Sequence, residues 1–332
     1  MKVNSPQAAD LLLAGDVVAL PTETVYGLAG CLNHEAALRK IFAVKARPFF
    51  DPLIVHIFDL HQARELTSDF SLAVEVLAKA FWPGPLTLVL PKTDRVSTLI
   101  TAGLPTVGLR MPRHSLTLDL LKDIGVPVAA PSANRFGRTS PTTADHVESE
   151  FSGQVAVLDG GPCDVGLEST IISLQSEHGK VHLQCLRQGQ VRISQIEETL
   201  KRAGLEPVWS QAQGLSAPGQ MQHHYMPDLP LIVFQELPSD WMRAADQVTQ
   251  ELSRLPTEIE GVQIRRPQHI HKWGHLVLSA DPTLAAREFY QRLREVAAQP
   301  IDAIAFVKPN HLQGEHWEAL WNRLSKAATL IF

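Results

Sequence analysis

The chain has 332 residues and a formal net charge of −5. Hydrophobic residues make up 45% and charged residues 20%, which is the composition of an ordinary globular protein of about two domains. The acidic balance excludes a strongly basic nucleic-acid platform, and no stretch approaches the ~20 apolar residues that a membrane-spanning helix needs.

The cysteines and the N-terminus indicate a reducing compartment. Cys31, Cys163 and Cys185 are odd in number and show no C-x-x-C spacing, which favours reduced thiols over a zinc framework. The short apolar run near the N-terminus has Asp10 before it and Asp16 after it, unlike a signal peptide. We therefore expect a cytoplasmic protein.

The first informative stretch follows a predicted helix over residues 7–14. The apolar run Val17–Leu20 predicts a buried strand, and Pro21 ends its ladder because proline has no N–H to donate. The loop that follows carries the hydroxyls of two threonines, a glutamate carboxylate and the phenol of Tyr26. It ends at Gly27, which permits a sharp turn or a close backbone approach. Binding residues concentrate in such loops, although a merely threonine-rich polar loop is an open alternative.

Two cations follow the next predicted helix. Residues 33–44 have helix signals, with Asn33 as N-cap, and Pro48 disfavours helix at the residue before it. Lys45 and Arg47 are therefore expected at the helix end or just beyond it. Cations suit a helix C-terminus, but an ammonium beside a guanidinium is also typical of a phosphate clamp.

Three later strands also carry polar residues at their ends. His56 is set into the apolar strand 53–57, where a histidine is more often a core residue than a ligand. Arg110 ends the strand 106–110 and by itself is consistent with an ordinary surface cation. Ser132 and Asn134 follow the strand 126–130 and suit either a turn or the binding of phosphate or ribose oxygens.

The rest of the chain comprises the remainder of the first domain, a linker and a second domain. Helices and strands alternate up to about Leu200, which indicates an α/β domain. Residues 206–228 are predicted to be a linker, and residues 229–332 a smaller α/β domain with strands at 231–234 and 301–307 and helices at 285–298 and 315–326. His269, His271 and His275 have no carboxylate or cysteine at ligand spacing, so we predict no metal site.

Several short motifs occur in one particular order. They are Pro-Thr-Glu-Thr-x-Tyr-Gly-Leu at 21–28, Lys-Ala-Arg at 45–47, Ser-Ala-Asn at 132–134, Asp-Gly-Gly-Pro-Cys at 159–163 and Glu-Ser-Thr-Ile at 168–171. In this combination the chain resembles the YrdC family of threonylcarbamoyl-AMP synthases, in its longer two-domain form. That resemblance implies a twisted mixed sheet with helices around a deep cavity in residues 1–205, a lid over the active site in 206–228, and a Rossmann-like α/β domain in 229–332.

The resemblance also implies an activity. Members of this family join L-threonine, bicarbonate or CO2, and ATP into threonylcarbamoyl-AMP and pyrophosphate, the first step of threonylcarbamoyladenosine modification of tRNA next to the anticodon. A separate tRNA threonylcarbamoyl transferase is the expected downstream partner. Mg2+ is expected to accompany ATP, held mainly through its phosphates. Neither stable nucleic-acid binding nor membrane association is expected.

The resemblance also implies site residues, both inside and outside these motifs, and we identify no dedicated general base and no metal ligand. The catalytic residues implied are Lys45, Arg47, Ser132 and Asn134. The ATP ligands implied are Arg47, Asp51, Thr106, Ser132, Ser140, Arg187 and Tyr225. The L-threonine ligands implied are Thr24, His56, Arg110, Ala130 and Thr170.

Asp51 departs from the family pattern, which usually has Asn or Lys at this position. A carboxylate near a triphosphate is repelled unless it bonds ribose hydroxyls or the water ligands of a metal ion. Its role is therefore left open.

Three alternatives remain from other classes. An RNA-binding module is opposed by the acidic charge and by motifs without stacking aromatics. A related carbamoyl-adenylate-forming enzyme of the hydrogenase-maturation type would need zinc-finger cysteines, which three scattered cysteines cannot supply. A regulatory protein working through its second domain has no supporting motif. No P-loop and no dinucleotide-binding glycine motif is present either.

Overall fold

The computed structural model describes residues 1–177, 180–211, 217–219, 221, 223–259, 261–310 and 312–332. The chain forms two compact units. Unit 1 consists of Met1–Arg135 and Pro141–Gln220, and unit 2 of Phe136–Ser140 and Met221–Phe332. A short segment from the first half of the chain therefore belongs to the second unit.

Unit 1 is built around one large sheet with helices. Its strands are β1 (Lys2–Val3), β2 (Val18–Leu20), β3 (Gly27–Cys31), β4 (Ile54–His56), β5 (Leu86–Pro91), β6 (Thr106–Arg110), β7 (Val128–Ala129), β8 (Ala156–Leu158), β9 (Thr170–Glu177), β10 (Lys180–Arg187) and β11 (Glu206–Ser210). Its helices are α1 (Ser5–Leu13), α2 (Glu35–Lys45), α3 (Leu60–Leu66), α4 (Leu72–Phe81), α5 (Ser115–Ile124), α6 (Ala144–Phe151) and α7 (Ile193–Arg202).

The strand order of this sheet is β1-β8-β2-β3-β7-β4-β6-β5-β9-β10-β11, so neighbours in space are often distant in sequence. Near its centre β4 pairs parallel with β6 and antiparallel with β7. The mixed sheet expected from the resemblance is thus confirmed. Strands β2, β3 and β4 are buried along their whole length. For β2, burial on both faces explains the continuous apolar run of its sequence.

The boundaries differ from the expected ones in places. Helix α2 begins at Glu35 with His34 as its N-cap, so Asn33 does not cap it. Strand β11 pairs parallel with β10, so the sheet extends beyond Leu205, where we expected the first domain to end. Strand β3 continues the motif loop and pairs back on β2, a connection that the polar composition of the loop did not reveal.

Unit 2 contains a smaller, all-parallel sheet with its own apolar core. Its elements are β12 (Leu231–Phe234), α8 (Trp241–Arg254), β13 (Glu258–Ile259), β14 (Val262–Gln263), β15 (Trp273–His275), α9 (Pro282–Ala297), β16 (Ala303–Val307), α10 (Glu315–Ala327) and β17 (Leu330–Ile331). The sheet order is β15-β16-β12-β17, while β13 and β14 form a separate antiparallel pair. The expected small α/β domain is confirmed. Helix α8 was not predicted, although its buried residues Ala245, Val248 and Leu252 have helical spacing.

Gly189 permits the close crossing of two chain segments in unit 1. A Cβ atom at this position would lie 2.4 Å from the backbone nitrogen of Thr170 and 2.7 Å from the carbonyl oxygen of Glu168. Both contacts are with backbone, which cannot move aside as a flexible side chain can. A side chain at 189 would therefore force apart segments that carry two of the expected site residues, Thr170 and Arg187.

We expect Gly189→Ala to destabilise the protein by about 2–3 kcal/mol, as overpacking against rigid neighbours does. The matched control is Gly125→Ala, because Gly125 has a positive φ of 67° but open space around it. That control should cost about 1 kcal/mol, from backbone strain alone. Thermal unfolding of the two variants measures the difference, and equal losses would contradict the close-contact argument.

Candidate active site

The threonine-rich loop after β2 is ordered by the hydroxyl of Thr22. Its Oγ1 accepts the backbone N–H groups of Thr24 at 3.1 Å and Val25 at 3.2 Å, and lies 2.8 Å from Thr24 Oγ1. Both threonines are buried. The turn therefore sets the orientation of the Thr24 hydroxyl, one of the expected threonine ligands. At the end of the loop, Gly27 lets the chain pass close to Ala130, because a Cβ atom at position 27 would lie only 3.2 Å from the Cβ of Ala130.

Tyr26 fastens this loop to the segment that carries the Asp-Gly-Gly-Pro-Cys motif. Its hydroxyl accepts the N–H of Gly160 at 3.1 Å and donates to the carbonyl of Gly161 at 2.8 Å. Burial raises the pKa of Tyr26, which keeps the phenol protonated and able to donate. At Gly160 a Cβ would lie 2.6 Å from His114 and from Pro21, so a larger residue would separate the two segments. The 159–163 motif thus holds the 21–28 loop in place through the hydroxyl of Tyr26.

Arg110 is held at the end of β6 by two partners. Its Nε donates to the carbonyl of Gly84 at 3.2 Å, and its Nη2 lies 2.9 Å from Oε1 of Glu23. The side chains are 4% and 0% exposed, respectively. The other carboxylate oxygen of Glu23 accepts the backbone N–H of Arg113 at 3.0 Å. Glu23 was not among the expected site residues; the only signal for it was its place inside the 21–28 motif.

His56 lies directly across from Arg110 in the paired strands β4 and β6. The side chain is buried, and burial together with the neighbouring Arg110 lowers the pKa of His56 to about 3. The imidazole is therefore neutral near pH 7. Among the described residues, none makes a hydrogen bond with its buried Nδ1. A neutral imidazole beside a guanidinium is suited to hydrogen bonding with a polar ligand.

Ala130 and Thr170 belong to the same region of unit 1. The N–H of Ala130 donates to the carbonyl of Ile54 at 3.0 Å, which places it beside β4. The N–H of Thr170 donates to the carbonyl of Pro85 at 3.0 Å, next to the carbonyl that holds Arg110. Its hydroxyl donates to the carbonyl of Val191 at 2.7 Å. With the pairing of His56 and Arg110, and with the ion pair between Arg110 and Glu23 next to Thr24, these contacts relate the five expected threonine ligands, which we term the Arg110 site (Thr24, His56, Arg110, Ala130 and Thr170).

Lys45 and Arg47 lie at the end of α2, as the helix signals and Pro48 indicated. The chain leaves the helix through Ala46, which has a φ of 50°. Lys45 is 1% exposed, and its ammonium donates to the carbonyls of Ser132, at 2.6 Å, and of Asn134. Burial, and to a smaller extent Arg47, lowers the pKa of Lys45 well below its usual value. This contact brings two paired motifs, Lys45-Ala-Arg47 and Ser132-Ala-Asn134, into one place.

Arg47 and Asp51 form a buried ion pair. Nη2 of Arg47 lies 2.8 Å from Oδ2 of Asp51 and also donates to the carbonyl of Pro52 at 2.8 Å. Burial raises the pKa of Asp51, while Arg47, Lys45 and Arg187 act in the opposite direction. Three cations therefore act electrostatically on one carboxylate. We call Lys45, Arg47, Asp51 and Arg187 the cation cluster.

Arg187 is positioned by a residue that the sequence analysis did not select. Its Nε donates to the carbonyl of Ser169 at 3.1 Å, and its Nη2 donates to the Ser169 hydroxyl at 3.1 Å. That hydroxyl lies 2.7 Å from the hydroxyl of Thr87. Ser169 sits beside Thr170 in the 168–171 motif, so this motif serves both groups of residues.

A small pocket opens between the central strands of unit 1. Its walls include Ile54, Thr87, Thr106, Gly108, Ile171 and Pro218. Thr106, an expected ATP ligand, therefore faces a cleft of mixed polar and apolar surface next to Pro52, whose carbonyl holds Arg47.

Two further expected ATP ligands, Ser140 and Tyr225, belong to unit 2. Ser140 is buried. Tyr225 has a positive φ of 67°, its carbonyl accepts the hydroxyl of Thr139 at 3.3 Å, and the guanidinium carbon of Arg323 lies 5.2 Å from its ring centre. Tyr225 is thus tied to the inserted segment Phe136–Ser140 of its own unit.

The part of the chain that the structure describes contains neither a metal-binding cluster nor a membrane-spanning helix. Within it, no three histidine, cysteine, aspartate or glutamate side chains are grouped so that they could hold a metal ion. In the same ranges, no helix is both long and apolar enough to span a membrane.

Comparison with known proteins identifies the family of the chain. A family model described as "Telomere recombination" matches residues 10–189, and one described as "Threonylcarbamoyl-AMP synthase, C-terminal domain" matches residues 191–329. A threonylcarbamoyl-AMP synthase of Bacillus subtilis is 38% identical over 338 residues, covering 99% of this chain and 94% of its own length. The chain belongs to the YrdC family of threonylcarbamoyl-AMP synthases. The two-domain form expected from the motifs is confirmed.

Other relatives extend this family assignment. A threonylcarbamoyl-AMP synthase of Schizosaccharomyces pombe is 30% identical over 371 residues, covering 98% of this chain and 88% of its own. The solved structure described as P. abyssi Sua5 complexed with L-threonine has a TM-score of 0.78 and 31% identity, and the match covers 100% of this chain and 99% of that one.

The buried neutral His56 should make stability depend on pH. In the unfolded chain its pKa is near 6.5, so below that pH the unfolded state takes up a proton that the folded state, with a pKa of about 3, does not. The free energy of unfolding should therefore fall as the pH drops from 6.5 towards 3, by up to about 1.4 kcal/mol per pH unit from this group. Denaturant unfolding of the wild type and His56→Gln at pH 7 and pH 5 measures it: the variant should lose about 2 kcal/mol less. Parallel pH curves would contradict a neutral buried His56.

Asp51 should weaken the attraction of the cation cluster for a polyanion. We expect Asp51→Asn to lower the KM for ATP about fivefold, equivalent to about 1 kcal/mol, because a carboxylate that repels the triphosphate becomes a neutral amide. Steady-state titration with ATP at low salt measures the change. Asp123→Asn, at an exposed carboxylate on α5, is the matched control. A raised KM would instead mean that Asp51 binds the nucleotide or is needed to hold Arg47.

Proposed function

We propose that this protein is a nucleotidyltransferase that forms L-threonylcarbamoyl-AMP and pyrophosphate from L-threonine, bicarbonate or CO2, and ATP. The observation that carries the proposal is the joining of two groups of residues around one strand. Lys45, Arg47 and Asp51 of the cation cluster precede β4 in the chain, and Arg187 acts electrostatically on Asp51 from the end of β10. The Arg110 site lies at the end of β4, where His56 pairs with Arg110. One group suits phosphates and the other suits an amino acid carboxylate.

The cation cluster would bind ATP through its phosphates. Charge builds up on the phosphate oxygens as pyrophosphate leaves, and fixed cations aimed at that charge lower the barrier without reorganising. Lys45 and Arg47 would carry this role, with Ser132 and Asn134 as nearby donors. Arg187 would hold the nucleotide, and Thr106 with the other walls of the pocket, which offer both apolar surface and threonine hydroxyls, would contact the part of it beyond the phosphates.

The Arg110 site would hold L-threonine. The guanidinium of Arg110 suits its carboxylate, while the neutral imidazole of His56 and the hydroxyls of Thr24 and Thr170 suit its remaining polar groups. The solved relative with L-threonine supports this substrate for the present chain. The amine would first become a carbamate, whose oxygen then attacks the α-phosphorus.

The donor set around the cation cluster does not resemble a Mg2+ cage. Its one carboxylate, Asp51, is already paired with Arg47. A Mg2+ ion arriving with ATP would neutralise phosphate charge and would be held mainly by the phosphates and by water. The product, a reactive mixed anhydride, would be consumed by a transferase that modifies tRNA, and we propose that both act in the cytoplasm.

Pyrophosphate release tests the proposal directly. It should require ATP, bicarbonate and L-threonine together, and L-serine should substitute poorly. Lys45→Ala and Arg47→Ala should each lower the rate by roughly 100-fold or more. Arg39→Ala and Lys40→Ala on the exposed face of the same helix are matched controls and should change little.

Two outcomes would contradict it. The first is pyrophosphate release at a rate that does not depend on the amino acid. The family relationship would then reflect shared ancestry only, and an RNA-binding protein, whose RNA affinity should fall steeply with salt, would be favoured. Full activity of Lys45→Ala and Arg47→Ala would leave the substrate assignment intact but remove the cation cluster from catalysis.

A further inference from the structure

Glu23 lies where three separate segments of unit 1 meet. Its backbone carbonyl accepts the N–H of Val165, from the segment that follows the 159–163 motif, at 2.7 Å. Its carboxylate reaches the connection after β6 through the N–H of Arg113 and the guanidinium of Arg110. A residue between these segments can transmit the position of one to the others.

The contacts of Arg110 leave one part of its guanidinium available. Its Nε is used by the carbonyl of Gly84, and its Nη2 faces Glu23. Among the described residues, no hydrogen bond is made by its Nη1. Position 84 has no room for a side chain, because a Cβ atom there would lie 2.4 Å from the carbonyl oxygen of Phe81. The Gly84 carbonyl and the Glu23 carboxylate therefore hold the guanidinium from two sides, the second through an ion pair, and leave its Nη1 for a ligand.

Glu23 cannot itself be the ligand-binding group. Its side chain is 0% exposed, and both carboxylate oxygens are directed at protein groups. Nor does a gain in stability readily explain the pair, since burying an ion pair rarely stabilises a protein more than apolar residues of the same volume would. An effect on the orientation of Arg110 accounts for both observations.

We propose that Glu23 is a positioning residue for the amino acid substrate, acting through Arg110. It holds the guanidinium so that the free edge meets the substrate carboxylate in one orientation, which also sets the direction of the substrate amine. The inference rests on the proposed function, and in particular on Arg110 as the carboxylate ligand.

Two effects of removing the charge at Glu23 have opposite signs. Loss of a nearby negative charge would by itself strengthen the attraction of Arg110 for a carboxylate. Loss of orientation would weaken it, and a misplacement of about 1 Å can reduce a rate by roughly 100-fold. Positioning therefore predicts weaker threonine binding in Glu23→Gln, whereas a purely electrostatic role predicts tighter binding.

Steady-state pyrophosphate release measures this difference. In Glu23→Gln, which keeps an acceptor for the Arg113 N–H, we expect the KM for L-threonine to rise roughly 10- to 100-fold. The KM for ATP should stay within about twofold, because the cation cluster does not contact Glu23. Glu65→Gln, which removes the exposed pair with Arg95, is the matched control and should change neither constant.

A double-mutant cycle with Arg110→Lys tests whether Glu23 acts through Arg110. In the Arg110→Lys background, Glu23→Gln should have little further effect on the KM for L-threonine, since the oriented group is already gone. If Glu23→Gln does not fold, Glu23→Asp serves as the second variant, because it keeps the charge and withdraws it by one methylene. Its KM for L-threonine should rise by a smaller factor, and its KM for ATP should again stay within about twofold.

The other outcomes overturn the inference. These are an unchanged or lower KM for L-threonine, equal increases for L-threonine and ATP, or additive effects in the cycle. If the wild type shows threonine-dependent release and Glu23→Gln behaves like it, the inference alone fails. If wild-type release does not depend on threonine, the proposed function fails and the inference with it.

Discussion

The site in unit 1 depends on the need of buried cations for oxygen partners. Lys45, Arg47, Arg110 and Arg187 are each less than 9% exposed, and each donates to at least one main-chain carbonyl. A buried charge is costly unless it is paired and hydrogen-bonded. The loops that offer these carbonyls are therefore held in the shapes that keep the cations satisfied. The same arrangement provides positive charge that is in place before any substrate arrives.

The sheet topology explains how sequence-distant motifs come to share one site. Strand β7 lies between β3 and β4, and β5 lies between β6 and β9. Each of these neighbours comes from a different part of the chain, and each ends near a loop that carries polar residues. Loops of this kind are usually mobile, but here Tyr26 and Gly189 join them to other segments by short contacts. The result is a rigid support for groups that have to act together.

Much of the fold and part of the site follow from local signals. Pro48 and the apolar spacing of α2 were enough to place Lys45 and Arg47 at a helix end, because helix termination is a local steric effect. Gly27 marked a close backbone approach for a similar reason. The strand β11 and the helix α8 were missed because short or weakly apolar segments depend on what packs against them. Glu23 and Ser169 were missed because each contacts an arginine from another part of the chain, and no local sequence pattern predicts such a partner.

Residue order alone predicts the α/β class, the helix and strand periodicity, the family motifs and the types of polar group at the ends of the strands. These depend on local conformational preferences and on residue chemistry, which the order of residues states directly. Folding adds three features that residue order does not predict: Asp51 pairs with Arg47, Glu23 faces Arg110, and burial keeps His56 neutral. Pairing and pKa depend on burial and on distances between side chains from different segments, and the folded chain alone sets those quantities.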